Sequence, residues 1–123
     1  MATEVMPEKT VDLSSVLQLG RIEKTKEVFK GLSITLQTLS ASHQQKILAA
    51  LPTDNQDALG RYATLQIETL ASATVAMNGV KADYASWKSM YSEMQSRVLQ
   101  EVYAFYVELV EEQNSVMDSL KKT

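Results

Sequence analysis

The chain has no cysteine, two prolines, four glycines and a single histidine among its 123 residues. Without thiols, disulfide scaffolds, thiolate metal sites and cysteine nucleophiles are excluded. His43 has no second imidazole to share a metal with, and its adjacency to Ser42 is not the geometry of a Ser-His-Asp relay. The glycines stand apart at positions 20, 31, 60 and 79, so no glycine-rich loop cradles a phosphate. Positive charge is also sparse: 12 Lys and Arg against 15 Asp and Glu give a formal net charge of −3. The basic residues between Arg21 and Lys30 are interleaved with Glu23 and Glu27, whereas nucleic-acid phosphates want an unbroken basic track. No stretch approaches the ~20 apolar residues of a membrane span. The opening MATEVMPEK lacks the apolar core of a signal peptide. The expectation is a soluble protein made in the cytoplasm, with no cofactor, metal, nucleic acid or membrane. A composition 45% hydrophobic and 22% charged belongs to a folded chain, and the length suits one domain with a modest core.

What is present is concentrated near the C-terminus. From Tyr84 to Leu120 there is neither Pro nor Gly, and Trp87, Met90, Tyr91, Met94, Val98, Val102, Phe105, Leu109, Val116 and Leu120 recur at helical spacing. The pattern predicts one helix over 84–121, capped by Asp83 and roughly 55 Å long at ~1.5 Å per residue. A small core does not cover such a length, so part of the stripe is expected to need a partner or a second copy. The spacing from Met94 onward averages more than ~3.5 residues, which argues against a left-handed heptad coil. Val102–Val107 is apolar almost all round, so residues 102–110 are expected at the centre of a domain or oligomer. Lys121 and Lys122 complement the helix dipole. Glu101, Glu108, Glu111 and Glu112 form a carboxylate cluster, but a di-metal bundle wants Glu-x-x-His pairs. Glu108, Glu111 and Glu112 read as a solvated face, and Glu101, near the stripe, as the partner of a Lys or Arg from a neighbour.

The rest of the chain supplies shorter elements. Residues 1–10 read as a mobile arm, and Asp12 as the cap of a docking helix over Leu13–Leu19 ended by Gly20. Leu32, Ile34 and Leu36 alternate with Ser33, Thr35 and Gln37, which predicts a strand. With Val28-Phe29 and the Lys30-Gly31 turn they make a hairpin, 25–30 and 32–38, that must lie on the helices or pair with other chains. Ser40 or Ser42, the latter with Gln45 at capping-box spacing, starts a helix at about 41–51 that ends before Pro52. His43 reads as an exposed first-turn residue. A further helix over 54–78, begun by Thr53 or Asp54, places Leu59, Tyr62, Ala63, Ile67, Leu70, Ala73, Thr74 and Met77 on one face and stops at Asn78-Gly79. The fold class read from these elements is mainly α: a helical bundle with one long C-terminal helix and a small N-terminal β-hairpin. Residues 1–20 form an arm with its docking helix and 21–123 the single helical domain.

The order of parts carries a resemblance. VFKGLSITLQTL runs into SASHQQKILAALP, then LQIETLASATVAMNG, then WKSMYSEMQSRVLQEVYAFYVELVEEQ. Over roughly residues 25–115 this resembles small tail-assembly proteins of tailed bacteriophages, of the tail assembly chaperone or baseplate-hub assembly type. The resemblance implies a non-enzymatic assembly or virion structural protein that binds other tail or baseplate proteins, and itself, through apolar helix faces. It implies a place in the host cytoplasm during assembly or in the virion. The candidate partner-binding residues are Trp87, Tyr91, Met94, Val98, Val102, Phe105, Leu109, Val116 and Leu120 on the long helix, and Leu32, Ile34 and Leu36 on the hairpin. The same helix physics would serve a bacterial helical chaperone or adaptor of the secretion type.

Overall fold

A computed structural model describes residues 13–51 and 58–121. The elements are α1 (Leu13–Gln18), β1 (Glu23–Phe29), β2 (Leu32–Gln37), α2 (Ala41–Ala50), α3 (Ala58–Ala73), β3 (Thr74–Met77), α4 (Tyr84–Glu93) and α5 (Ser96–Leu120). The readings of Asp12, Pro52, Thr53, Asp54, Lys122 and the arm at 1–10 lie outside the described residues.

The chain is mainly helical, with a long C-terminal helix and an antiparallel sheet ordered β1-β2-β3. The hairpin is where its alternation placed it: Lys26 pairs with Ile34 and Lys24 with Leu36 across a turn at Lys30-Gly31. Gly31 has φ 85°, and its N–H donates to Glu27 Oε2 at 3.1 Å. Period-two patterning buries Ile34 and Leu36 against the helices, while Ser33, Thr35 and Gln37 take the opposite face.

The third strand corrects the expected helix over 54–78. That helix ends at Ala73, and Thr74–Met77 pairs with β2. Asn78 and Gly79, at φ 51° and 79°, are a two-residue hairpin turn: Met77 N–H donates to Val80 O and Val80 N–H to Met77 O, both at 2.9 Å. Two successive positive φ values at Asn-Gly are what such a turn requires. Asn78 also ties this turn to the first, accepting at Oδ1 from Ser33 N–H at 2.8 Å and donating through Nδ2 to Gly31 O at 3.2 Å. The predicted face of α3 is right from Leu70 onward, but Leu59, Tyr62 and Ala63 are exposed.

The single helix expected over 84–121 is two. α4 ends at Glu93, Met94 and Gln95 are extended at ψ 147° and 141°, and α5 begins at Ser96. Asp83 caps α4 alone, accepting from Ser86 N–H at 2.9 Å. A chain of this size packs into a body of radius of gyration about 14 Å, so an unbroken 55 Å rod would overhang it. The break lets α4 pack on α3 while α5 packs on α3, β1 and β2. Ser40, not Ser42, caps α2, its Oγ accepting from His43 N–H at 3.2 Å.

One core joins the layers: Ile34 and Leu36 from β2, Ile47 from α2, Leu70 and Ala73 from α3, Trp87 and Tyr91 from α4, and Leu99, Val102, Phe105, Tyr106 and Leu109 from α5. Burying each large apolar side chain contributes about 1.5–3 kcal/mol. The helices therefore share their core with a sheet rather than only with one another.

Candidate partner-binding surface

The α5 stripe has two halves. Val102, Phe105 and Leu109 are 0%, 2% and 1% exposed, whereas Val116 and Leu120 are 38% and 58% exposed. Positions 102, 105, 109, 113, 116 and 120 follow one face at helical spacing, and Gln113 marks the change. There Gln113 Nε2 donates to Gly20 O at 3.1 Å, and α1 ends against α5. Gly20, at φ 82°, has a place for Cβ only 2.6 Å from Met117 Sδ, so a side chain there would push into α5. α1 leaves Val16, Leu17 and Leu19 exposed, Leu17 at 81%. The last turns of α5 and α1 thus present apolar groups at one end of the molecule.

The other residues read as partner-binding fall into place as follows. Trp87, Tyr91, Ile34 and Leu36 belong to the chain's own core, as do Val102, Phe105 and Leu109. Met94, Val98 and Leu32 are half-buried against that core. Only Val116 and Leu120 of the set stand in the open. The middle of α5 is not buried all round: Ala104 and Val107 are exposed.

Polar contacts pin the sheet to α5. Lys24 and Lys26 share the face of Ile34 and Leu36, so on the edge strand β1 they point toward α5. Lys24 meets Glu112 at 2.5 Å and Lys26 meets Glu108 at 2.9 Å, with Lys26 Nζ also 5.7 Å from the centre of the Phe105 ring. Inward-pointing lysines guard an open strand edge against chance pairing. Glu101 pairs with Arg97 one turn earlier at 3.3 Å, an Arg partner from within α5 rather than from a neighbour.

A cluster that sequence reasoning missed sits at the start of α4. Glu68 is 5% exposed in α3, receives hydrogen bonds from Lys88 Nζ at 2.8 Å and from the Tyr84 hydroxyl, and lines a cavity of about 390 Å³ with His43, Lys46, Ile47, Ala50, Ser72 and Tyr84. Burial works to raise the Glu68 pKa, but the hydrogen bonds from Lys88 and Tyr84 and the Lys88 charge together hold it below the usual carboxylate value. The same contact, with burial, raises the Tyr84 phenol, and the hydrogen bond to Glu68 raises Lys88. The signal was available: Glu68 is the sole charged residue between Arg61 and Lys81. Here the carboxylate is ionised and occupied, which suits holding α4 on α3 better than moving protons. His43 is exposed, faces Ser40 Oγ through Nδ1 at 2.9 Å, and shares no hydrogen bond with Ser72. Next to this cluster, Tyr91 OH lies 2.7 Å from Thr74 Oγ1, and Thr74 Oγ1 donates to Leu70 O at 2.7 Å. Among the described residues, Trp87 Nε1 is buried without a partner.

Among the described residues no three His, Asp or Glu side chains are grouped to hold a metal ion, and no helix is long and apolar enough to cross a membrane. Comparison with protein-family models, curated proteins and solved structures returned no match.

Proposed function

We propose that the chain is a non-enzymatic assembly protein of a tailed bacteriophage, a tail or baseplate chaperone or virion component that binds partner proteins through the end of the molecule where α1 meets the last turns of α5. The observation that carries this reading is the continuation of the α5 stripe beyond its own cover: the same face that is sealed at Leu109 is open at Val116 and Leu120. Exposed apolar groups gathered on two adjoining elements are what a protein interface removes from water. The resemblance in the order of hairpin, capped helix and aromatic-rich final helix supplies the phage context.

The test compares the tagged chain with a Val116→Asp/Leu120→Asp variant as bait in phage-producing host cells. Recovery of tail or baseplate proteins by the parent chain, lost in the variant with an unchanged thermal melt, is the expected result. The same protein set with both baits removes the end patch from the mechanism. A set drawn only from host secretion or folding machinery would instead favour a bacterial adaptor.

A further inference from the structure

The cavity at the start of α4 lies between two helices that bring opposite charges to it. α2 lines it with His43, Lys46, Ile47 and Ala50, and α3 with Glu68 and Ser72. On each helix these positions share one face at helical spacing. A volume of about 390 Å³ is in the range of small-molecule pockets. Glu68 is nearly sealed, yet an ionised carboxylate accepts at about four lone-pair sites. Among the described residues only the Tyr84 hydroxyl and Lys88 Nζ use them. Across the cavity, Lys46 makes no ion pair or hydrogen bond among the described residues, and the half-buried Ser72 hydroxyl beside Glu68 is equally unengaged. His43 meets Ser40 through Nδ1, which leaves Nε2 unspent. Lys46 and Glu68 thus border one space without pairing with each other.

That unpaired opposition selects the charge of an occupant. An anion alone would reach Lys46 but face the Glu68 carboxylate. A cation alone would reach Glu68 but face the Lys46 ammonium. A molecule carrying both an ammonium and a carboxylate answers both walls, in a partly closed site where charges interact more strongly than in bulk water. Between the charges, Ile47 and Ala50 offer only apolar surface. We infer that this cavity binds a small apolar α-amino acid, its ammonium on Glu68 and Ser72, its carboxylate on Lys46 and His43, and its side chain against Ile47 and Ala50. The inference rests neither on the end patch nor on the assembly reading. It leaves Glu68 its part in holding α4, because Tyr84 and Lys88 keep their own lone pairs.

The test titrates the isotope-labelled full chain with L-leucine, with L-leucinamide, which lacks the carboxylate, and with isocaproate, which lacks the ammonium. Saturable shifts at Ile47, Ala50 and Ser72 are expected with leucine at millimolar concentrations. Either analogue should bind about tenfold more weakly, the effect of losing one charge-assisted hydrogen bond. Lys46→Met, on an exposed position, should keep the parent's melt and bind leucine no better than leucinamide. Leucinamide or isocaproate binding the parent as tightly as leucine overturns the inference, since one end of the ligand would then go unread. A Lys46→Met variant that still prefers leucine to leucinamide overturns it too. So does the absence of any saturable shift, which would leave the cavity to water.

Discussion

α4 and α5 come from one uninterrupted run of helix-forming residues, yet they are fastened to the molecule by different physics. α5 is held by area: Val102, Phe105 and Leu109 are sealed against the sheet and α3, and its ion pairs to Lys24 and Lys26 lie at the surface, where such pairs are worth about 0–1 kcal/mol. α4 is ten residues long and combines two buried aromatics with a set of titratable contacts: Tyr91 on Thr74, and Glu68 between Tyr84 and Lys88. It also leaves the Trp87 indole N–H buried and, among the described residues, unpaired, a cost of about 1–3 kcal/mol. Hydrophobic anchoring is indifferent to pH, whereas hydrogen-bonded phenols and carboxylates are not. A fall in pH should therefore act on α4 first, through Glu68, whereas at high pH the buried phenols of Tyr103 and Tyr106 on α5 titrate alongside Tyr91 of α4.

The largest effect is expected in the sealed half of α5. Val102→Asp keeps the side-chain size but places an unpaired carboxylate at a position of zero exposure. Losing the valine costs about 1.5–3 kcal/mol, and the buried charge adds several more. Against a total stability of about 5–15 kcal/mol, the melting temperature should fall by more than about 15 °C. Val116→Asp, on the open half of the same helix, should stay within about 0.5 kcal/mol. Similar melts for the two variants would erase the distinction between the halves.

The next effect belongs to α4 at high pH. Burial pushes the Tyr91 phenol from 10 up to about 12, with the Thr74 hydrogen bond opposing. The fold thus favours the protonated form, and the stabilisation is complete below pH 10 and lost as pH rises toward 12. Two units correspond to about 2–3 kcal/mol. Urea midpoints measured from pH 8 to 12 should fall steeply for the parent chain and less for Tyr91→Phe. That variant should start about 1 kcal/mol less stable at neutral pH, for the lost hydrogen bond. Tyr103 and Tyr106, also raised by burial, leave the variant a residual slope. An undiminished slope would remove Tyr91 from the alkaline limb.

The comparison between α4 and α5 also shows where pattern reading ends. Period two in Leu32, Ile34 and Leu36 located β2 because one face of that strand is buried, and the Lys30-Gly31 turn follows from a glycine that accepts positive φ. β3 was equally visible in principle: Thr74-Val75 is a β-branched pair, and Asn78-Gly79 is a stronger hairpin signal than a helix stop. It was overlooked because Leu70, Ala73 and Met77 continue the helical period of α3 straight into the strand. The break at Met94-Gln95 has no local signal, neither Pro nor Gly. Tertiary packing places it, since both segments find cover only when they part. The stripe itself was legible, but which half of it would be covered depended on where the sheet and α1 lie. Glu68 escaped notice because a polar residue on a helix reads as solvent-facing until the neighbouring elements are in place.

The smallest effect discriminates most finely between the two modes of anchoring. Lys88→Met removes a half-exposed ammonium but strands a carboxylate that is nearly sealed. Glu68 then keeps only the Tyr84 hydroxyl, desolvation dominates, and its pKa should rise from its present lowered position. In the parent, Glu68 stabilises the fold above its ordinary titration range, and this contribution is lost as pH falls through its lowered folded value. At pH 7 the variant should be less stable by about 1–3 kcal/mol, the cost of an under-satisfied buried acceptor. As pH falls, Glu68 is protonated first in the variant, so the gap between the two proteins should narrow and nearly close once both carry the neutral acid. Lys24→Met, which cuts a surface pair of α5, should show a gap under about 1 kcal/mol. Chemical denaturation at several pH values between 3 and 8 reads both variants. A Lys88→Met gap that stays constant with pH would mean that α4, like α5, is held by packing alone.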